Sequence, residues 1–145
     1  MKYNIKIKTE NDIAILRESG KRLSLVLTAV SKEVKPGVTT GYLNDFVYKM
    51  ITDMGDTPAF LNYKPFGAAY PYPGSICISV NDEVVHGIGG DRVLKEGDIV
   101  GLDGGVKHKG MISDSARTVA VGTISDEDKE LMKVTKDALM AGIKA

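Results

Sequence analysis

The chain has 145 residues, 43% of them hydrophobic, enough for one globular domain with a real core. Lys plus Arg and Asp plus Glu both number 19, so the formal net charge is zero and no basic stripe argues for nucleic-acid binding. No apolar run approaches the roughly 18 residues of a membrane-spanning helix, the opening MKYNIKIK lacks the continuous apolar stretch of a secretion signal, and Cys77 has no second cysteine to pair with. These features point to a soluble protein of a reducing compartment, the cytoplasm by default.

Thr9, followed by Glu10, Asn11 and Asp12, reads as an N-cap with an acidic first turn. Ile13, Leu16, Leu23, Val26, Leu27 and Val30 continue at helical spacing, with Gly20 as a point of close approach by another element. Lys35-Pro36-Gly37 stops this helix, and Thr39-Thr40 begins a second one that carries Leu43, Phe46, Val47, Met50 and Ile51 on one face until Gly55. Residues 59–62 form a short possible strand, and GAAYPYPGS is a loop too irregular for either period. Three strands are then predicted: 76–86, running through an Asn81-Asp82 turn to end at Val84-Val85-His86-Gly87; 98–106, fed by the Gly97-Asp98 turn; and 111–121. Ser125, with Asp128 three residues on, starts a last helix striped by Leu131, Val134, Leu139 and Ile143. The S-D-E-D at its start echoes the T-E-N-D of the first helix and hints at a second repeat.

The most informative pair of residues is Asp103 and Asp114, on the two strands joined by Lys107-His108-Lys109-Gly110. A four-residue loop there sets Val106 opposite Met111 and Asp103 directly opposite Asp114. Opposed like charges on neighbouring strands destabilise a sheet, so keeping both calls for a compensating divalent cation or a pair of them. The plainer reading is an Asp at a strand end capping a turn or facing water. Gly104-Gly105, which leaves room for a close approach, and the nearby His86 favour the metal. His108, flanked by Lys107 and Lys109, is expected to be a solvated loop residue. Cys77 by composition is a small buried hydrophobe.

The segments AFLNY, SICISVNDEVVHGI, DRVLKEGDIVGLD and SDSARTV together resemble the methionine aminopeptidases of the type I class, over 7–145. The resemblance implies an α+β, pita-bread (creatinase/aminopeptidase-like) fold: a curved antiparallel sheet flanked by helices, here the first repeat plus the first helix of the second. It also implies removal of the N-terminal methionine by attack of metal-activated water, with two divalent ions (Co, Mn, Fe or Zn). Asp103 is then the bidentate terminal ligand, Asp114 the bridging carboxylate, and His86 the imidazole that contacts substrate at the scissile bond. Tyr72 and Cys77 help form the methionine pocket, where an aromatic and a thiol suit a thioether. One further His and two Glu, one of them the general base, are implied from a second repeat, so residues 1–145 are expected to be a truncated catalytic domain. The implied partners are N-terminal methionine peptides of nascent chains, the ribosome, and other copies through the exposed truncated half, with no membrane and no specific nucleic acid. The sequence departs from the family in Ile112-Ser113 where His-Gly is usual, in Gly89-Gly90 where Pro-Ser is common, and in a longer stretch from Asn62 to Pro73. Rival readings are an Xaa-Pro-type aminopeptidase, an inactive fragment, and a metal-free binding module of the same fold.

Overall fold

The computed structural model describes residues 7–145, so the basic opening at residues 1–6 lies outside the described residues. The elements run α1 (Glu10–Glu33), α2 (Thr40–Asp53), β1 (Thr57–Pro58), β2 (Ile76–Val80), β3 (Ile99–His108), β4 (Met111–Ala120) and α3 (Asp126–Lys144). The expected N-cap of α1 forms, and α2 is capped as well. Thr9 accepts a hydrogen bond from the Asp12 amide while the Asp12 carboxylate accepts from the Thr9 amide, closing a capping box. Thr39 accepts from the Tyr42 amide.

All four strands are antiparallel, with β3 as the spine. β4 pairs along its whole length on one edge, while β2 and β1 share the other, β2 beside residues 100–104 and β1 beside 106–107. Side chains alternate across the sheet. Ile76, Ile78 and Val80 of β2 and Val100, Leu102 and Val106 of β3 point into the core, against Leu23, Val26, Leu27 and Val30 of α1 and Leu43, Val47 and Ile51 of α2. The alternate positions, Cys77, Asp103 and Asp114 among them, share the face away from those helices.

Several expectations need correction. The strand expected at 59–62 is instead Thr57–Pro58, because Asn62 turns into the left-handed region (φ 63°). Pro58 is tolerated in this short outer strand, and the pairing ends as the Ala59 amide donates to the Gly105 carbonyl. The strand expected through 76–86 stops at Val80, since residues 81–86 form an irregular turn in which Asn81 and His86 both have positive φ. Gly20 meets no close neighbour: it lies off the stripe on which Ser19, Leu23, Val26 and Val30 face the sheet.

The loop between β3 and β4 has two residues, not four. Lys109 (φ 47°) and Gly110 (φ 83°) both occupy the left-handed region, as the centre of a type I′ turn requires. His108 therefore pairs with Met111 as part of β3, and every cross-strand partner moves by two residues from the expected register. His108 is accordingly no solvated loop residue but buried, its Nδ1 2.7 Å from Asp56 Oδ1.

Candidate active site

The register sets Asp103 opposite Ala116 and Asp114 opposite Gly105. The carboxylates are thus diagonal neighbours, not directly opposed as expected, yet they still share one face of the sheet. Diagonal positions on adjacent strands have Cβ atoms up to about 7–8 Å apart, a gap wide enough for an ion between two carboxylates. Cys77 sits directly across from Asp103 on the other side, so three polar or polarisable groups line up across three adjacent strands on the face that α1 and α2 leave free.

All five candidate residues, Tyr72, Cys77, His86, Asp103 and Asp114, line one cavity of about 370 Å³. The sequence reading missed its outer wall, built by Phe60, Tyr63, Pro65, Ala68 and Tyr70. The crowding of Tyr, Pro and Gly between 60 and 74 is the available signal, but an irregular loop has no period to show which of its side chains besides Tyr72 turn toward the site. Gly105 makes this wall possible: a Cβ there would stand 2.9 Å from Ala59 Cβ and 3.0 Å from a Phe60 ring carbon. The close approach expected at Gly104-Gly105 is therefore found at Gly105.

His86 reaches the cavity from a turn. Its φ of 61° is costly for a residue with a Cβ, and the turn is held by its neighbours. The Ile78 amide donates to the Gly87 carbonyl, the Gly87 amide donates to Ser79 Oγ, and the Tyr72 hydroxyl lies 2.8 Å from the same Gly87 carbonyl. A side chain at Gly87 would collide with the Ile78 carbonyl, so only glycine fits after His86. At the usual His-Gly position, Ser113 faces the core and its hydroxyl meets Ser19 Oγ of α1 at 2.8 Å. Gly89 packs where a Cβ would crowd Asn44 and the Thr40 carbonyl, so this glycine lets the N-terminal part of α2 approach, whereas a side chain at Gly90 would meet nothing.

The electrostatics of the cavity are one-sided. Burial and then the neighbouring charge of Asp114 push the Asp103 carboxyl above its ordinary range, with His86 acting in the opposite sense. Burial likewise raises Cys77, opposed by its hydrogen bond with Tyr72 and reinforced by both carboxylates, so its thiol stays neutral. A raised thiol suits Cys77 as soft contact surface. Burial raises the Tyr72 phenol too, with Cys77 and Asp103 adding to the effect. A carboxylate that raises its neighbour Asp103 in this way is a fit for a divalent cation, which would relieve the repulsion. Among the described residues no group of three or more His, Cys, Asp and Glu side chains is placed to hold a metal ion.

The model of Metallopeptidase family M24 matches residues 14–145. Methionine aminopeptidase 1 of Bacillus subtilis is 43% identical over 136 residues, covering 94% of this chain and 52% of the relative. The methionine aminopeptidase of Rickettsia prowazekii is 44% identical over 139 residues, covering 96% and 51% respectively. A crystal structure of the Rickettsia prowazekii methionine aminopeptidase superposes with a TM-score of 0.89 at 43% identity, covering 96% of this chain and 54% of that one. Aminopeptidase P of Escherichia coli, with a TM-score of 0.74 at 20% identity over 92% of this chain and 28% of its own, shares the fold alone. The expected α+β pita-bread fold is therefore the one observed, and the chain spans about half the length of the curated relatives it matches.

Proposed function

Because the chain belongs to metallopeptidase family M24, we propose that it carries part of the active site of a methionine aminopeptidase. The observation that carries this reading is the meeting of Tyr72, Cys77, His86, Asp103 and Asp114 at one cavity. Asp103 and Asp114 would hold divalent metal, Co, Mn, Fe or Zn, as terminal and bridging ligands. The chemistry such a metal would supply there is polarisation of the first peptide carbonyl and a stronger water nucleophile near neutral pH. His86 donates a hydrogen bond to the substrate at the scissile bond, where charge develops on the way to the transition state. Cys77 and Tyr72 form the floor that receives the methionine side chain, and the apolar wall from Phe60 to Tyr70 excludes water from it. The remaining ligands and the general base are assigned to the length of the relatives that this chain does not span. Substrates are the N-termini of newly made polypeptides, with the ribosome as the place of encounter and the cytoplasm as the compartment. Among the described residues no helix is long and apolar enough to cross a membrane.

The test is calorimetric and kinetic. The isolated chain should bind Mn²⁺ weakly, lose that binding on Asp103→Asn or Asp114→Asn, and keep it on His86→Ala. It should release little or no methionine from a Met-Ala-Ser peptide. Robust release by these 145 residues would show the catalytic set to be complete in this chain and would overturn the assignment of a base elsewhere. Loss of Mn²⁺ in the His86 variant would move that imidazole into the ligand shell.

A further inference from the structure

His86 stands near the end of a turn that folds back along β2. At the start of this turn the Val80 amide donates to Glu83 Oε2, and Arg92 Nη1 holds the other oxygen of the same carboxylate at 2.8 Å. Val84 and Val85 follow, 90% and 61% exposed, so little packing fixes the chain before His86. After it, Gly87 is held through both polar atoms of its backbone. Its carbonyl accepts from the Ile78 amide and the Tyr72 hydroxyl, each at 2.8 Å, and its amide donates to Ser79 Oγ at 3.1 Å. A peptide unit is planar, so these bonds act on two separate planes. The pair at the carbonyl fixes the plane that leads on to Ile88, whereas the Ser79 bond fixes the plane that joins His86 to Gly87. Ser79 lies two residues along β2 from Cys77, on the same face of the sheet, and is 8% exposed without lining the cavity.

We propose that Ser79 is a positioning residue for His86: by holding the Gly87 amide it sets the peptide plane, and with it the angle ψ, from which the imidazole reaches the cavity. This rests on the reading of His86 as the imidazole that contacts substrate. A left-handed residue with a Cβ persists only where its surroundings over-determine it, and the φ of 61° at His86 needs such support. Gly87 gives the turn room, since a side chain there would run into the Ile78 carbonyl, but room alone does not choose an orientation. Without the Ser79 hydroxyl the plane between His86 and Gly87 turns about the anchored Gly87 carbonyl, and the imidazole swings with it relative to Asp103 and Asp114. A group held at its working angle before substrate arrives needs no ordering at that moment, which is the advantage a buried hydroxyl confers on an imidazole carried by a turn.

The experiment reads the imidazole directly, by NMR on the full 145-residue chain. His86 and His108 are its two histidines, so their ring protons are readily told apart, and His108, buried against Asp56, serves as the internal reference. In metal-free Ser79→Ala the Gly87 amide, deprived of its acceptor, should exchange about tenfold faster than in the wild type. The His86 ring signals should broaden or split there, while those of His108 stay in place. With Mn²⁺ added at equal occupancy, paramagnetic broadening of the His86 ring should weaken in Ser79→Ala although the affinity for Mn²⁺ is unchanged. Ser79→Thr, which keeps the hydroxyl, should restore both the exchange rate and the His86 signals. An unchanged Gly87 exchange rate or unchanged His86 signals in Ser79→Ala overturns the proposal. So do changes that reach His108 equally, for Ser79 would then support the fold at large, and so does a folded Ser79→Thr chain that restores neither readout. If the wild type binds no Mn²⁺, the metal reading of Asp103 and Asp114 falls, while the metal-free signals still decide the role of Ser79.

Discussion

His108 shows how far a single residue can depart from its local sequence context. Flanked by two lysines, it nonetheless closes β3 against Asp56, a carboxylate only 3% exposed that also receives Arg22 of α1 at 3.1 Å. Arg22 adds contacts with Glu18 and the Met54 carbonyl, so one network joins α1, the end of α2 and the β1–β3 pairing. Removing one member of a buried ionic or hydrogen-bonded set strands its partners, at about 3–5 kcal/mol for a lone buried charge and about 1–3 kcal/mol for a polar group. Asp56→Ala, which strands the His108 imidazole while Arg22 keeps Glu18, and His108→Ala, which leaves Asp56 its arginine, are each expected to cost about 1–3 kcal/mol in urea denaturation. The double variant should fall short of the sum. A His108→Ala protein within experimental error of the wild type would place that imidazole outside the network.

At the level of elements, the β3–β4 hairpin decides the geometry of the candidate site. Its two-residue Lys109-Gly110 turn sets the register, and the register makes Asp103 and Asp114 diagonal neighbours instead of opposed ones. Because a four-residue and a two-residue loop differ by two positions in register and side chains alternate with period two, both carboxylates share a face with either loop; a shift of one would send them to opposite faces. The left-handed conformation at Lys109 costs about 1–2 kcal/mol relative to glycine, and asparagine tolerates it better. Lys109→Asn should raise the denaturation midpoint by a stabilisation of up to about 1 kcal/mol, whereas Gly110→Ala should destabilise by about 1–2 kcal/mol. A Gly110→Ala chain as stable as the wild type would argue against the type I′ turn and the register that depends on it.

The whole molecule leaves one element without a place in the core. No residue of α3 is buried, and Leu139 and Ile143 are 61% and 67% exposed, although Ser125 caps the helix on the Asp128 amide as Thr9 caps α1. Among the described residues β4 pairs only with β3, which leaves its outer edge open. An apolar stripe together with an open strand edge favours association. Light scattering is expected to show a mass that grows with concentration, and hydrogen exchange in α3 should be far faster than in α1. Leu139→Glu with Ile143→Glu should reduce association without lowering the stability of the core. A concentration-independent monomer with α3 strongly protected would contradict this.

The sequence by itself determined the helices and their caps, the core stripe of α1 and α2, the antiparallel pairing of β3 with β4, and the family. Those features rest on local rules: capping side chains, a period of 3.6 or 2, and motif spacing. Asp103 and Asp114 share a face for the same reason, since alternation along a strand is set residue by residue. Only the tertiary structure decided the two-residue turn, because Lys-Gly advertises a left-handed pair far less clearly than Asn-Gly does. It also decided the turn that presents His86, where the Ile78 carbonyl, Ser79 and Tyr72 hold Gly87 from distant positions in the chain. The burial of His108 and the aromatic wall around the cavity are likewise long-range outcomes. Asp56 and Arg22 lie far from His108 in sequence, and Phe60 reaches the site only because Gly105, on another strand, has no side chain to keep it out.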